Sequence, residues 1–352
     1  MLETILIYYL LFYIKNYLFK IDISRSFNLL FNSEKNNKTV YASGWINIQS
    51  AGNPLNGELS EIAIAVPEIY MGSSETIRQL SNFKSKNIKF YNWLAGIIDG
   101  DGNFDMRKNS NKESNNNLIL KSIRIKLHNR DIRILKRIQN YLHFGKIRSD
   151  KNKPYSIYII STKKEMSFII NQINGLIRIK VPAFKKACFY FNIDYIEPNY
   201  IIESFDPYFS GLIDTDGSII FNYTANRIEC NLELKYNTYT SKLNFNNVIP
   251  YYKPNVYLRN KKNKSPGKIF KSIAFKYQTV NGMIYLYDYF MKNRLFSDMK
   301  FYRVSKIKLF IEIRNNKNKF GLNFKIYSSF LLDWIKYQNP LWIKVPFVNK
   351  IR

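Results

Sequence analysis

One passage of this chain occurs twice, and that constrains the fold more than any other feature. Leu94–Gly102 reads LAGIIDGDG and Phe209–Gly217 reads FSGLIDTDG, at an offset of 115 residues. That offset is the size of one small domain. A single repeat of this length, with an aromatic and apolar lead-in each time, indicates a duplicated domain and not a solenoid of short units.

The residues after each copy are also alike in pattern. After the first, strands are expected at Phe104–Arg107 and Leu118–Leu127 around an Asn-rich turn, 109–117. A helix with Asp131 as its cap then runs to Leu142, followed by strands at 146–148 and 155–160 and a helix at 164–173. After the second come strands at 218–223, 228–236, 255–259 and 269–277, then helices at 280–292 and 301–313. The expected class is α+β: two pseudo-twofold-related αββαββα domains with antiparallel sheets, joined helix to helix. The boundaries read as an N-terminal extension 1–83, a first half 84–200, a second half 201–320 and a C-terminal tail 321–352, which holds Trp334 and Trp342.

As helices, the two motif copies put Leu94, Ile97 and Ile98, or Phe209, Leu212 and Ile213, on an apolar face. Ala95-Gly96 and Ser210-Gly211 supply small surfaces at matching places, which lets two helix backbones approach closely. Both helices stop at glycine, so Asp101 and Asp216 should meet at two adjacent C-termini. Helix C-termini are already partly negative and like carboxylates repel. The arrangement makes sense around a divalent cation, with free terminal carbonyls of Gly100 and Thr215 completing a hard-oxygen site for Mg²⁺ or Mn²⁺. Asp99 and Asp214 read as braces of the motif helices. A calcium loop starting at Asp99 is excluded by Phe104 at its sixth position and Ser110 at its twelfth.

The paired motifs resemble the signatures of the LAGLIDADG homing endonucleases and intron-encoded maturases. The passage Leu127-His128-Asn129-Arg130-Asp131, with Gly145-Lys146-Ile147 after it, is similar to that family as well. The resemblance spans residues 85–315, and departs at Phe209-Ser210, where an apolar and a small residue are nevertheless kept. It implies saddle-like sheets laid into the DNA major groove, Asp101 and Asp216 as metal-binding catalytic acids, and one water-network lysine per half. By position these are Lys180 and Lys300. Asn129 stands at the water-orienting place near the end of the first sheet, which His128 fits less well, with a counterpart near Asn237.

Alternate strand residues face one side, which nominates Arg107, Lys121, Arg124, Lys126, Lys146, Arg148, Lys151 and Lys153 in the first half as DNA contacts. Lys235, Arg259, Lys268, Lys271 and Lys276 are the second-half set, beside a basic hairpin loop at 260–268.

Charge agrees with a polyanion partner. The chain of 352 residues carries a net +28, yet residues 1–83 sum to −1 and the remainder to +29. Two cysteines and two histidines leave little room for a zinc site, a disulfide framework or a Ser-His-Asp triad. The run Ile5–Ile14 is short for a membrane span and reads as a buried or amphipathic helix, with membrane contact by residues 1–19 the lesser reading. Abundant Asn, Lys, Ile, Tyr and Phe point to an A/T-rich, mitochondrial gene.

Three functions are compatible with this sequence. The first is a monomeric endonuclease on a long, non-palindromic double-stranded DNA site. The second is a maturase bound to its host intron RNA, and the third a regulator-like binding module. Only the first needs two clustered acids in a basic cleft.

Overall fold

The computed structural model describes residues 74–108, 118–262 and 269–352, and for 74–86, 262 and 269 the backbone alone. The readings for 1–19 and 33–73, the turn 109–117 and Lys268 lie outside the described residues.

The first motif closes a long helix, α1 (Ser74–Asp101), which starts ahead of the boundary expected at residue 84. The second closes α5 (Pro207–Thr215), whose Pro207 sits in the first turn and whose Asp206 caps it by accepting from the Tyr208 N–H at 2.9 Å. Every residue from Pro207 to Asp214 is buried. Between the two motifs the chain forms β1 (Gly102–Lys108), β2 (Leu118–His128), α2 (Ile132–Leu142), β3 (Lys146–Ser149), β4 (Tyr155–Ile160), α3 (Lys163–Ile173) and α4 (Val181–Tyr190). After the second motif come β5 (Gly217–Asn222), β6 (Arg227–Lys235), β7 (Asn255–Lys262), β8 (Ile269–Tyr277), α6 (Met283–Lys292), α7 (Asp298–Ser305) and α8 (Ile307–Ile313). Then α9 (Leu322–Lys336) and α10 (Val348–Ile351) complete the order.

Each half carries a four-stranded antiparallel sheet, with strand order β1-β2-β4-β3 in the first and β5-β6-β8-β7 in the second. Gly102 lies opposite Ile125, and Gly217 opposite Leu232, so both sheets start in the same register from their motif helix. Alternation then sends Phe104, Ile123, Ile125 and Tyr158 into the first core and Ile219, Cys230, Leu232 and Phe275 into the second.

The expected αββαββα order appears in the first half. In the second, the place of α2 is taken by an irregular stretch, 236–254, with one 3₁₀ turn at Thr240–Lys242. The local chemistry explains this. The Asn237 carboxamide accepts from the N–H groups of Tyr239 (2.8 Å) and Thr240 (3.0 Å), and Asn244 accepts from that of Asn246. Such side chains offer the backbone partners other than helical ones, and Pro250 and Pro254 end any helix. The stretch instead bonds to the connection between halves, through Asn244 with Tyr200 and Ile202 and Val248 with Phe205. The terminal residues are also built in: Tyr327, Leu331, Trp334, Ile335, Val348 and Ile351 are buried.

Candidate active site

Two glycines set how closely the motif helices cross. A Cβ on Gly96 would lie 2.2 Å from the Tyr208 carbonyl oxygen and 3.0 Å from the Leu212 nitrogen. A Cβ on Gly211 would lie 2.2 Å from the Trp93 carbonyl oxygen and 3.0 Å from the Ile97 nitrogen. Trp93 and Tyr208, and Ile97 and Leu212, are each 115 residues apart, so the contact is its own image under exchange of the halves. Ala95 and Ser210 are buried in the same joint, as the small-residue argument requires.

The inner aspartates repeat that symmetry with side chains. Tyr208 donates its hydroxyl to Asp99 at 2.8 Å, and Trp93 donates its indole N–H to Asp214 at 3.1 Å. Each carboxylate also gathers backbone N–H groups from the segment that carries a lysine. Asp99 accepts from Arg178 (2.7 Å) and Lys180 (2.9 Å), while Asp214 accepts from Phe296 and Ser297 (both 2.9 Å). Desolvation raises both carboxyls above the ordinary range, that of Asp214 to about 6, and the amide donors oppose the rise. The brace expected of Asp99 and Asp214 therefore links motif helix, opposite half and lysine segment in one buried node.

The lysines converge on the helix ends. Lys180 Nζ donates to the Gly100 carbonyl at 2.6 Å and also to that of Gly102. Lys300 Nζ, buried, donates to the carbonyls of Ile213 (2.7 Å), Asp214 (2.8 Å) and Thr215 (3.1 Å). This corrects one expectation, because the carbonyls of Gly100 and Thr215 are not free. Orphan carbonyls at a helix C-terminus seek a cation or donor, and each half supplies an ammonium.

The outer acids stand beside these ammoniums, exposed at their tips. Desolvation raises the Asp101 carboxyl, the Asp216 charge raises it further, and Lys180 and Lys300 pull it down. Desolvation also raises Asp216 against the same two lysines. Burial lowers both ammonium groups, while Asp101 and Asp216 hold each of them up. Four groups from four distant places in the chain thus share one electrostatic site. Among the described residues no three His, Cys, Asp or Glu side chains form a metal-binding group.

Asp131 belongs to this neighbourhood, although its sequence position marks it only as a helix cap. Its carboxylate makes no cap bond; it accepts from Ser297 Oγ at 2.6 Å, across the halves, and its charge reaches Asp101 and Lys300. No local signal reveals a partner 166 residues away. The Asn129 amide is engaged at both ends: its Nδ2 donates to the Lys153 carbonyl (2.8 Å) and its Oδ1 accepts from Ser156 Oγ (2.7 Å). Asn237 is committed to its own turn.

The basic candidates fall largely on the outer sheet faces. In the first half Arg124 and Lys146 share a row across the sheet, as do Lys126 and Arg148, with Arg107 on the same face. Arg107 and Arg124 both reach Asp105, at 2.9 and 2.6 Å. Lys121 is the extra residue of a bulge opposite Asp105 and Met106, and Lys151 and Lys153 lie in the exposed β3–β4 turn. In the second half Lys235, Arg259 and Lys276 share the outer parity, near Glu233, which pairs with Lys261 at 2.8 Å. Lys271 does not join them. It lies five residues from Lys276, so the pleat turns it to the opposite face.

Comparison with known proteins adds a family. The family described as LAGLIDADG endonuclease matches residues 94–190. An intron-encoded RNA maturase, bI4, of Saccharomyces cerevisiae is 33% identical over 152 residues, 43% of this chain and 22% of that protein's length. An intron-encoded DNA endonuclease, ai2a, of Dictyostelium discoideum is 26% identical over 272 residues, 74% of this chain and 81% of that one. The chain thus spans about a fifth of the first relative and most of the second. The I-SmaMI LAGLIDADG homing endonuclease bound to cleaved DNA is similar in structure, with a TM-score of 0.46 and 14% identity, over 66% of this chain and 93% of that one.

Proposed function

We infer from these likenesses that the chain is of the LAGLIDADG endonuclease and maturase family, and we propose that it hydrolyses both strands of a long, non-palindromic DNA site in a divalent-metal-dependent reaction. The observation that carries this reading is the convergence of Asp101 and Asp216 with Lys180 and Lys300 at the joint of the halves. Binding alone requires no acid pair inside a basic protein, whereas metal-assisted phosphodiester hydrolysis uses one to hold its cation.

Hard carboxylate oxygens suit Mg²⁺ or Mn²⁺. Desolvation and then the Asp216 charge push Asp101 toward its protonated form, and a divalent cation, which Asp101 and Asp216 would hold, would relieve that repulsion. Bound there, it would supply an activated water and charge for the leaving 3′ oxygen. The carbonyls of Gly100 and Thr215 serve the lysines first, so the carboxylates are the primary donors. Lys180, whose ammonium keeps one N–H beyond its two carbonyl bonds, can order water beside a scissile phosphate, while Lys300, with all three N–H groups on carbonyls, contributes its charge. The outer faces, carrying Arg107, Arg124, Lys126, Lys146 and Arg148 on one sheet and Lys235, Arg259 and Lys276 on the other, are proposed to contact phosphates and base edges. The halves differ in sequence, so a monomer suffices for an asymmetric site. An organellar, mitochondrial setting is in keeping with the composition and with intron-encoded relatives.

A maturase role on intron RNA is the second reading, favoured by the relative named for that activity. One experiment separates the two. Purified full chain is incubated with Mg²⁺ and the genomic sequences flanking its reading frame, joined without it. Double-strand cleavage is expected, falling about a thousandfold or more in Asp101→Asn and Asp216→Asn. Cleavage that survives the double variant would overturn the assignment. Intact DNA alongside tight binding of the intron transcript would favour the maturase.

A further inference from the structure

The two inner nodes are not closed alike. Over Tyr208, the buried Arg178 guanidinium sits 4.3 Å from the ring, donates to the Asn199 carbonyl and seals that side. On the other side Phe296 meets Trp93 edge-on at 5.1 Å, and the surface opens into a cleft of about 480 Å³ at the beginning of the motif helices. Lys89, Arg137, Lys292 and Arg294 line it. At 1.5 Å per helical residue, Lys89 and Trp93 lie roughly 12–18 Å down α1 from Asp101, away from the sheets that start at its other end.

Three of these cations rest on rings. Arg137 lies 3.9 Å over Phe296, Lys292 3.8 Å over Phe205 and Arg294 4.2 Å over Phe301. Among the described residues none of the four lies in a salt bridge, while neighbouring Arg133 pairs with Asp298. Arg137 and Arg294 also repel one another. Positive charges gathered around a concave aromatic wall, with Asp214 buried behind it as the acid whose charge reaches Arg137, suit an anionic ligand carrying flat groups. The volume falls in the range of small-ligand pockets, about 300–1,000 Å³. A duplex keeps its bases stacked inside and cannot insert one here; a single strand can present phosphate and base together.

We propose that this cleft is a second nucleic-acid site, which takes a single-stranded segment with its phosphates on Lys89, Arg137, Lys292 and Arg294 and a base against the partly exposed rings of Tyr141 and Phe296. It lies apart from the outer sheet faces and does not depend on the cleavage reading. The chemistry is shared by single-stranded RNA and DNA.

The test uses the full chain and a short fluorescein-labelled oligouridylate, read by anisotropy across a salt series, with a random-sequence duplex measured in parallel. The paired variant R137Q/R294Q is expected to bind oligouridylate at least tenfold more weakly, with the salt slope reduced by about 1.4 for two lost phosphate contacts. Variant K89Q/K292Q, which alters only exposed side chains, is expected to weaken binding in the same direction and guards against misfolding of the first. Sheet-face variant R124Q/K126Q should lose duplex affinity and change oligouridylate affinity less than threefold. Equal binding of oligothymidylate supports recognition by phosphate and base, and a preference for RNA adds the 2′-hydroxyl. Wild-type oligouridylate affinity in both cleft variants, or an equal loss in the sheet-face variant, would overturn the proposal.

Discussion

The two halves of this protein agree where they touch and differ where they do not. At the joint Gly96 answers Gly211, Tyr208 answers Trp93, Asp99 answers Asp214 and Lys180 answers Lys300. Behind the sheets the agreement ends. Ile147 on β3 is partly buried against the core, and α2 packs on that strand. Val256, which holds the same place in the second sheet's register, is 51% exposed. The second half compensates at its other edge, where Trp334 and Phe347 pack on Phe221. A backbone-to-backbone crossing and a shared site admit few solutions. A sheet's back needs only an apolar cover, which many segments provide.

The sharpest way to break this comparison is at the glycines. Gly96→Ala and Gly211→Ala each force a methyl onto a backbone carbonyl that cannot move aside. Both should destabilise by about 3 kcal/mol or more, beyond ordinary overpacking, and by equal amounts in denaturant titrations. A variant with near wild-type stability, or a clear inequality between the two, would show that the joint is not symmetric in energy.

The lysines come next, and here the halves should separate. Lys300 is buried with three carbonyls, whereas Lys180 is less enclosed and has two. Lys300→Met leaves more buried carbonyls unpaired, at roughly 1–3 kcal/mol, so it should lower both stability and cleavage. Lys180→Met should reduce cleavage by about a hundredfold with a smaller loss of stability. Single-turnover rates and melting curves on both variants check this, and a larger stability loss at Lys180 would reverse the ranking.

The outer faces give a smaller contrast. Arg124 and Lys126 in the first sheet stand where the second has Asn231 and Glu233. The first face should act more on the phosphate backbone. Arg124→Gln with Lys126→Gln should lower the slope of log affinity against log salt by about 1.8 for duplex DNA, or 0.9 per lost contact. Lys276→Gln alone should lower it by no more than about 0.9. Equal slopes for all variants would mean these strands do not meet the backbone.

How far the sequence alone reveals this molecule depends on the range of the interaction. Strand alternation and the motif helices are local, and residues such as Ile123, Ile125 and Leu212 fall inside as their periodicity requires. Lys180 and Lys300 are reachable because the repeat supplies a ruler from each motif. Other features have no local trace. Ser297 finds Asp131 across 166 residues, and the carbonyls of Gly100 and Thr215 are taken by side chains about 80 residues downstream. The missing second-half helix escapes apolar spacing, because Asn237 and Asn244 compete for backbone partners in ways that such spacing ignores. Lys271 yields to counting: positions five apart on a strand cannot share a face.

The cysteines offer the gentlest comparison, because each half holds one. Cys188 lies near the end of α4 and Cys230 within β6, both buried and free. Burial pushes the Cys188 thiol up to about 11 and the Cys230 thiol higher still. The native state therefore holds these protons more tightly than the unfolded chain, where a thiol titrates near 8.5. That contribution to stability is whole below about pH 8.5 and, for Cys188, is lost as pH rises through about 11. At neutral pH neither thiol should react with a maleimide except through opening, so labelling rates report how often each half opens. Cys188 sits at a helix end beside exposed Phe189, while Cys230 is flanked by strands on both sides, so Cys188 should label first, by about tenfold. Identical rates would mean that the halves open only together, and that the joint which makes them alike also makes them one cooperative unit.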